Sequence, residues 1–208
     1  MDRTKHKVFI SYHHANDQGY KQSLIDWNTS NNYEIFIDAS VDTGDIDDNL
    51  SDQSIRQKIR DEYLRDSTVT ILLVGTETKN RKHIDWEIYS SMYDGQVNKK
   101  SGVLVVNLPS TGCSVYSVAH GDKEKAVLYP DNTNWISIDT RSDYEKRYPY
   151  MPERIIDNLL KRGSKVSVAN WKTITENPDK LKSMIDLTFN DRASCNYDLS
   201  TPMRRSDS

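Results

Sequence analysis

The chain has 208 residues and a mass of 24.0 kDa, enough for one large domain with a sizeable core. It contains 28 Lys and Arg residues and 31 Asp and Glu residues, which gives a net charge of −3. The chain therefore lacks the excess of basic residues that supports nucleic-acid binding. No apolar run approaches the roughly 20 residues that cross a bilayer, and Cys113 and Cys195 fit neither a disulfide framework nor a zinc site. We therefore expect a cytoplasmic protein without a metal, a nucleic-acid partner or a membrane partner.

The first half of the chain alternates between apolar runs and amphipathic segments. Strands are predicted at residues 7–12, 33–38, 68–74 and 103–106, and helices at about 17–30, 52–66 and 84–95. Alternation of this kind predicts an α/β fold of the flavodoxin-like, doubly wound type, with a mostly parallel sheet and helices on both faces.

The second half of the chain lacks this regular alternation at first. Glycine, proline and tyrosine are scattered through residues 109–150, where only 134–138 reads as a strand. A long irregular segment of this kind is either a lid over a functional cleft or a peripheral insertion. Two helices follow, each beginning near a proline. We predict a single domain over residues 1–190 and a polar, flexible tail at 191–208.

Topology suggests where a site would lie. A doubly wound sheet binds ligands beyond the carboxyl ends of its strands, at the point where the strand order reverses. With the order 2-1-3-4-5, taken by analogy, that crevice gathers Ser11 and His13 after the first strand, Asp38 after the second and Glu87 on the helix after the third. Periodicity alone favours a solvated surface carboxylate for Glu87, and histidines in such loops are more often structural.

Other motifs of known chemistry are missing from the sequence. It has no Gly-x-Gly-x-x-Gly and no phosphate-binding Gly-Lys-Ser/Thr, and the segment 83–87 lacks the second histidine of a zinc protease. The aspartates between residues 38 and 52 do not follow the calcium-loop spacing. The basic pair Arg81-Lys82 is too short for a nucleic-acid patch, but it could meet a diphosphate.

Several segments carry a resemblance to a known family. In chain order they are Lys7-Val8-Phe9-Ile10-Ser11-Tyr12-His13, Phe36-Ile37-Asp38-Ala39-Ser40, Thr68 through Gly75, Asn80-Arg81 and Trp86-Glu87. Together they resemble the TIR-like domains of bacterial antiphage defence, and most closely the TIR protein of the Thoeris system. The resemblance extends over residues 7–107.

The resemblance implies a flavodoxin-like fold and cleavage of the bond between nicotinamide and ribose in NAD+, which is a substrate rather than a cofactor. In Thoeris the product is a cyclic or conjugated ADP-ribose signal that activates a separate effector. The active enzyme is expected to be a homo-oligomer. A non-catalytic interaction module is the alternative, because many TIR-like domains work by assembling with others.

The resemblance also assigns site residues. The family's catalytic glutamate falls on Glu87, and the residues matched to its cleft or expected to bind substrate are Ser11, Tyr12, His13, Asp38, Arg81 and Trp86. Trp86 or Tyr12 could stack on a base, but both also suit a core position. The wider family places a serine and a cysteine around the tryptophan before its glutamate, whereas here Asp85, Trp86 and Glu87 are contiguous.

Overall fold

A computed structural model describes residues 5–30, 34–40, 46–47, 49–64, 66–96 and 98–207. Its sheet is entirely parallel, in the order β2-β1-β3-β4-β5. The strands are β1 (Lys7–Ser11), β2 (Ile37–Asp38), β3 (Val69–Val74), β4 (Gly102–Asn107) and β5 (Ser167–Asn170). This order confirms the predicted fold class, and it places the reversal of strand order between β1 and β3.

The helices connect successive strands and cover both faces of the sheet. They are α1 (His14–Ser30), α2 (Asp52–Lys58), α3 (Lys82–Met92), α4 (Gly121–Leu128), α5 (Arg141–Arg147), α6 (Glu153–Leu160), α7 (Trp171–Thr175) and α8 (Pro178–Asp191). A π-helical turn, Ile59–Tyr63, extends α2. Within the part of the chain that the structure describes, no helix is long and apolar enough to cross a bilayer.

The core lies in two layers because side chains alternate along each strand. On one face of β3, Ile71 and its neighbours pack against α1 and α8. On the other face, Leu72 packs against α3 and α6. A third cluster joins α2 to α3, with the fully buried Trp86 beside Ile55. Glu87 therefore stands on a helix that is covered on two sides.

The fifth strand differs from the sequence prediction. Residues 134–138, the only strand predicted between residues 109 and 150, adopt no regular structure, and Ile136 is 72% exposed. The strand is instead Ser167–Asn170, which pairs Val168 with Val105. Its residues are small or polar, so no apolar run marks it, although Ser167, Val168 and Ala169 are buried.

The 109–150 segment lies along β5. Ser117 forms an antiparallel bridge with Val168, and the Ser117 and Tyr148 hydroxyls are 2.8 Å apart. His120 bonds to Asp191 at the end of α8, with 2.8 Å between the ring nitrogen and the carboxylate. Among the described residues, no hydrogen bond or ring contact joins this segment to β1 or α3. The hydrogen bonds of the segment thus join it to β5 and α8, and Tyr144 and Tyr148 pack in the same apolar cluster as Ile88 of α3.

The end of the chain packs on the domain instead of forming the flexible tail expected from its polar composition. Residues 198–207, here called the strap, lie across α3 and α6. Arg154 donates hydrogen bonds to the carbonyls of Thr201 and Pro202, and Met203 is 3% exposed against Trp86. Two apolar side chains of the strap, Leu199 and Met203, pack on the domain, and its backbone carbonyls accept from Arg154, contacts that a polar composition does not reveal.

Candidate active site

Two residues predicted for the site meet where β1 and α3 come together. Ser11 is the last residue of β1, and Glu87 lies on the second turn of α3. The Ser11 hydroxyl donates a hydrogen bond of 2.7 Å to Glu87 Oε2. Ser11 is 1% exposed and Glu87 is 4% exposed. The prediction of a surface carboxylate, which periodicity alone favours, is therefore wrong. A buried carboxylate held by one hydroxyl needs a functional explanation.

Burial changes the acidity of Glu87. It raises the pKa of this carboxyl from its ordinary value of 4.5 to about 7, while the hydrogen bond from Ser11 acts in the opposite direction. Among the described residues, no cation forms an ion pair with Glu87. The carboxyl is therefore poised between its neutral and ionised forms near neutral pH, as is common in active sites.

Tyr12 and His13 follow Ser11 at the carboxyl end of β1. Tyr12 is buried, its hydroxyl donates to Gln18, and its ring stacks on His14 with 4.4 Å between centroids.

His13 is half-buried, and its Nδ1 atom is inaccessible and bonds to no described residue. Burial, and then the nearby Arg81 guanidinium, lower the pKa of the imidazole, which favours its neutral form.

Arg81 precedes α3 and lies close to His13. Its guanidinium pairs with Glu77 at 3.2 Å and with Asp207 of the strap at 3.4 Å, while its Nε atom is buried without a described partner. Asp207 also accepts a 2.8 Å hydrogen bond from the backbone N–H of Lys82. An anionic oxygen thus already occupies the amino end of α3, where the helix dipole favours negative charge.

The structure places the two remaining predicted residues away from this pair. The Trp86 side chain lies in the core, and its indole N–H donates to the carbonyl of Arg204 at 2.7 Å, so the ring has no free face for a base. Asp38 is exposed on the edge strand, in register with Val8, and accepts a hydrogen bond from the backbone N–H of Ser40. Because Val8 precedes Ser11 by three residues on β1, Asp38 lies further from the carboxyl end of the sheet than Ser11 does.

Asp17 is a buried carboxyl that the sequence analysis did not single out. It lies in the first turn of α1, is 2% exposed, and packs against Gly75 just after β3. The available signal was topological, because the first turn after β1 faces the reversal of strand order. The pattern of apolar residues in α1 gave no sign that this acidic position is buried, and the helix begins earlier than predicted.

Two other features bear on ligand binding. A surface cavity of about 700 Å³ opens between residues 114–118 and 132–138, beyond β5, and none of the predicted site residues lines it. Within the described ranges, no group of three His, Cys, Asp or Glu side chains could hold a metal ion. The candidate site is thus a buried arrangement of polar side chains at the crevice between the carboxyl ends of β1 and β3.

Comparison with known proteins places this arrangement in a family. The sequence model of the family described as Thoeris protein ThsB, TIR-like domain, matches residues 9–112, half of the chain, and the match includes both Ser11 and Glu87. No curated protein matches the chain. The chain belongs to the Thoeris ThsB TIR-like family, and so it is a TIR-like domain of antiphage defence.

Proposed function

We propose that this domain cleaves NAD+ at the bond between nicotinamide and ribose. The buried pair of Glu87 and Ser11, lying at the crevice of a TIR-like defence domain, carries the proposal. Nicotinamide in NAD+ is a pyridinium and leaves as a neutral molecule, so the reaction needs no general acid, unlike ordinary glycoside hydrolysis. One carboxylate is therefore sufficient.

Glu87 stabilises the transition state. As the bond between ribose C1′ and the pyridinium nitrogen breaks, its electron pair moves to nitrogen and positive charge develops on the ribose. An ionised carboxylate in a buried site attracts that charge more strongly than it would in water. The Ser11 hydroxyl fixes the carboxylate and favours its ionised form by donating to Oε2.

The amino end of α3 binds the diphosphate of the substrate. Arg81 and the backbone N–H of Lys82 both bond to the Asp207 carboxylate, and phosphate oxygens accept the same charge-assisted hydrogen bonds. The half-buried ring of His13, whose neutral form is favoured, contacts the substrate between this end of α3 and β1. The indole of Trp86 has a core role in this proposal, and Asp38 stays a prediction.

The product is a cyclic or conjugated ADP-ribose. The positive ribose must be captured by a nucleophile, and a site that excludes water favours a group of the substrate or of a second molecule over hydrolysis. Ser11 and Glu87 are almost inaccessible, which supports such a reaction. The product would act as a diffusible signal for a separate effector, and the enzyme would work in the cytoplasm as a homo-oligomer.

Nicotinamide release from NAD+ tests the proposal. Purified wild type, Glu87→Gln and Glu153→Gln are compared by chromatography, because Glu153 is exposed in the first turn of α6 and matches the change in charge. Glu87→Gln should lose at least about 100-fold in rate, and Glu153→Gln should equal wild type. A folded Glu87→Gln protein that keeps most of the wild-type rate would contradict the catalytic assignment.

Two further measurements complete this test. NAD+ is measured in cells that express the chain, before and after phage challenge, because a defence enzyme is expected to be inactive until infection triggers it. NAD+ that stays constant in both states would favour the interaction module. Mass spectrometry of the products tests the signal, and linear ADP-ribose as the sole product would contradict it.

A further inference from the structure

Asp17 is a buried carboxyl without a partner. Its side chain is 2% exposed, its Oδ2 atom is inaccessible, and no described residue forms a hydrogen bond or ion pair with the carboxyl group. Burial raises its pKa for the same reason as for Glu87. An unsatisfied buried polar group lowers stability, so a carboxyl in this state calls for a function other than holding the fold together.

The carboxyl lies at the reversal of strand order. Asp17 packs against Gly75, the residue after β3, and a Cβ at Gly75 would lie 2.5 Å from Asp17 Oδ1. A glycine is needed at that position to leave room for the carboxyl. The backbone N–H of Asp17 donates to the carbonyl of His13 at 2.8 Å, and His13 Nδ1 is also buried without a described partner. Asp17 and His13 thus both follow β1, and each carries a buried polar atom that bonds to no described residue.

We propose that Asp17 is a substrate-positioning residue that accepts hydrogen bonds from the adjacent hydroxyls of a ribose bound in this crevice. The Asp17 carboxyl offers hydrogen-bond acceptors that no described residue uses, and the hydroxyls of a ribose diol are donors. The inference rests on the proposed function for its ligand, since NAD+ contains two riboses. Asp17 would orient one ribose while Glu87 faces the breaking bond.

Binding of ribose probes tests this role without catalysis. Calorimetry measures the affinity of wild type, Asp17→Asn and Asp26→Asn for ADP-ribose, AMP and ribose 5-phosphate. Asp26 is exposed on the same helix and gives the matched control. Loss of the charged acceptor should weaken ADP-ribose binding about 10-fold or more in Asp17→Asn and leave Asp26→Asn unchanged. AMP carries the adenosine ribose alone, so weaker binding of both AMP and ADP-ribose assigns Asp17 to that ribose, and weaker binding of ADP-ribose with AMP unchanged assigns it to the other.

Thermal unfolding separates ligand binding from a structural role. Asp17→Asn keeps the shape of the side chain and removes an unsatisfied charge, so its Tm should equal or exceed that of wild type. A lower Tm would assign the carboxyl a structural role and overturn the proposal. Equal affinity of wild type and Asp17→Asn for every probe would also overturn it, as would wild type that binds none of them.

The same preparations distinguish the two proposals. A protein that binds ADP-ribose through Asp17 but releases no nicotinamide would contradict NAD+ cleavage alone. A protein that releases nicotinamide, with probe affinities unchanged in Asp17→Asn, would contradict the role of Asp17 alone.

Discussion

Arg154 and Asp85 form a buried, bidentate ion pair between α6 and α3. Arg154 Nε lies 2.7 Å from Asp85 Oδ1, and one terminal nitrogen lies 3.0 Å from Oδ2. The backbone N–H of Arg204 in the strap donates to the same Oδ2 atom at 2.8 Å. Asp85 stands two residues before Glu87, so α6 and the strap together hold the helix that carries the candidate catalytic carboxylate.

Removing the guanidinium should therefore destabilise the fold. Arg154→Met leaves Asp85 buried without its cation, and loss of one partner of a buried pair costs about 3–5 kcal/mol. Urea unfolding measures the change in free energy, with Arg162→Met, on an exposed side chain, as the control. An Arg154→Met protein as stable as this control would show that the pair contributes nothing.

The sequence predicts the elements whose apolar side chains form a run or a stripe. β1, β3 and β4 are buried on both faces and consist largely of β-branched and aliphatic residues, so their positions are predicted to within one or two residues. β5 is buried by the helices around it and has no such run. The strap is fixed by backbone carbonyls that accept from Arg154, and a sequence pattern does not encode those contacts.

The site too is predicted only in part, because contacts between distant segments leave no pattern in the sequence. Topology and the family resemblance predict Ser11 and Glu87 as site residues, and in the structure their side chains form a 2.7 Å hydrogen bond. They do not predict that Glu87 is buried, because its cover comes from distant segments. Trp86 shows the effect most clearly, since α2 and Met203 of the strap enclose it and leave no stacking surface. Asp17 was missed because its burial depends on contact with Gly75.

The rate of NAD+ cleavage should depend on the ionisation of Glu87. Because burial raises the pKa of its carboxyl to about 7, the ionised form that stabilises the ribose cation accumulates only above that pH. We expect kcat/KM to rise with pH through about 7 and then to level off. Initial rates of nicotinamide release across this range measure the profile, and a rate that falls as the pH rises would mean that the active form is protonated.

The same shift predicts how stability changes with pH. Between about pH 4.5 and 7 the folded protein holds the Glu87 proton more tightly than the unfolded chain does, so the free energy of unfolding falls as pH rises. Glu87→Gln lacks this term, and its stability relative to wild type should increase across the same range by up to about 3 kcal/mol. Urea unfolding of both proteins at each pH measures the difference. A constant difference would mean that the folded and unfolded states bind this proton equally.

The strap should compete with the substrate at the amino end of α3. Asp207 pairs with Arg81 and accepts from the backbone N–H of Lys82, the groups proposed to bind the diphosphate. Its side chain is 43% exposed, so the contact is weak, and Asp207→Asn should lower KM for NAD+ only about threefold with kcat unchanged. Asp198→Asn, which makes the same change in charge elsewhere in the strap, should leave KM as in wild type. Steady-state kinetics of nicotinamide release decide between the variants, and equal KM values for Asp207→Asn and wild type would mean that the diphosphate does not bind where Asp207 lies.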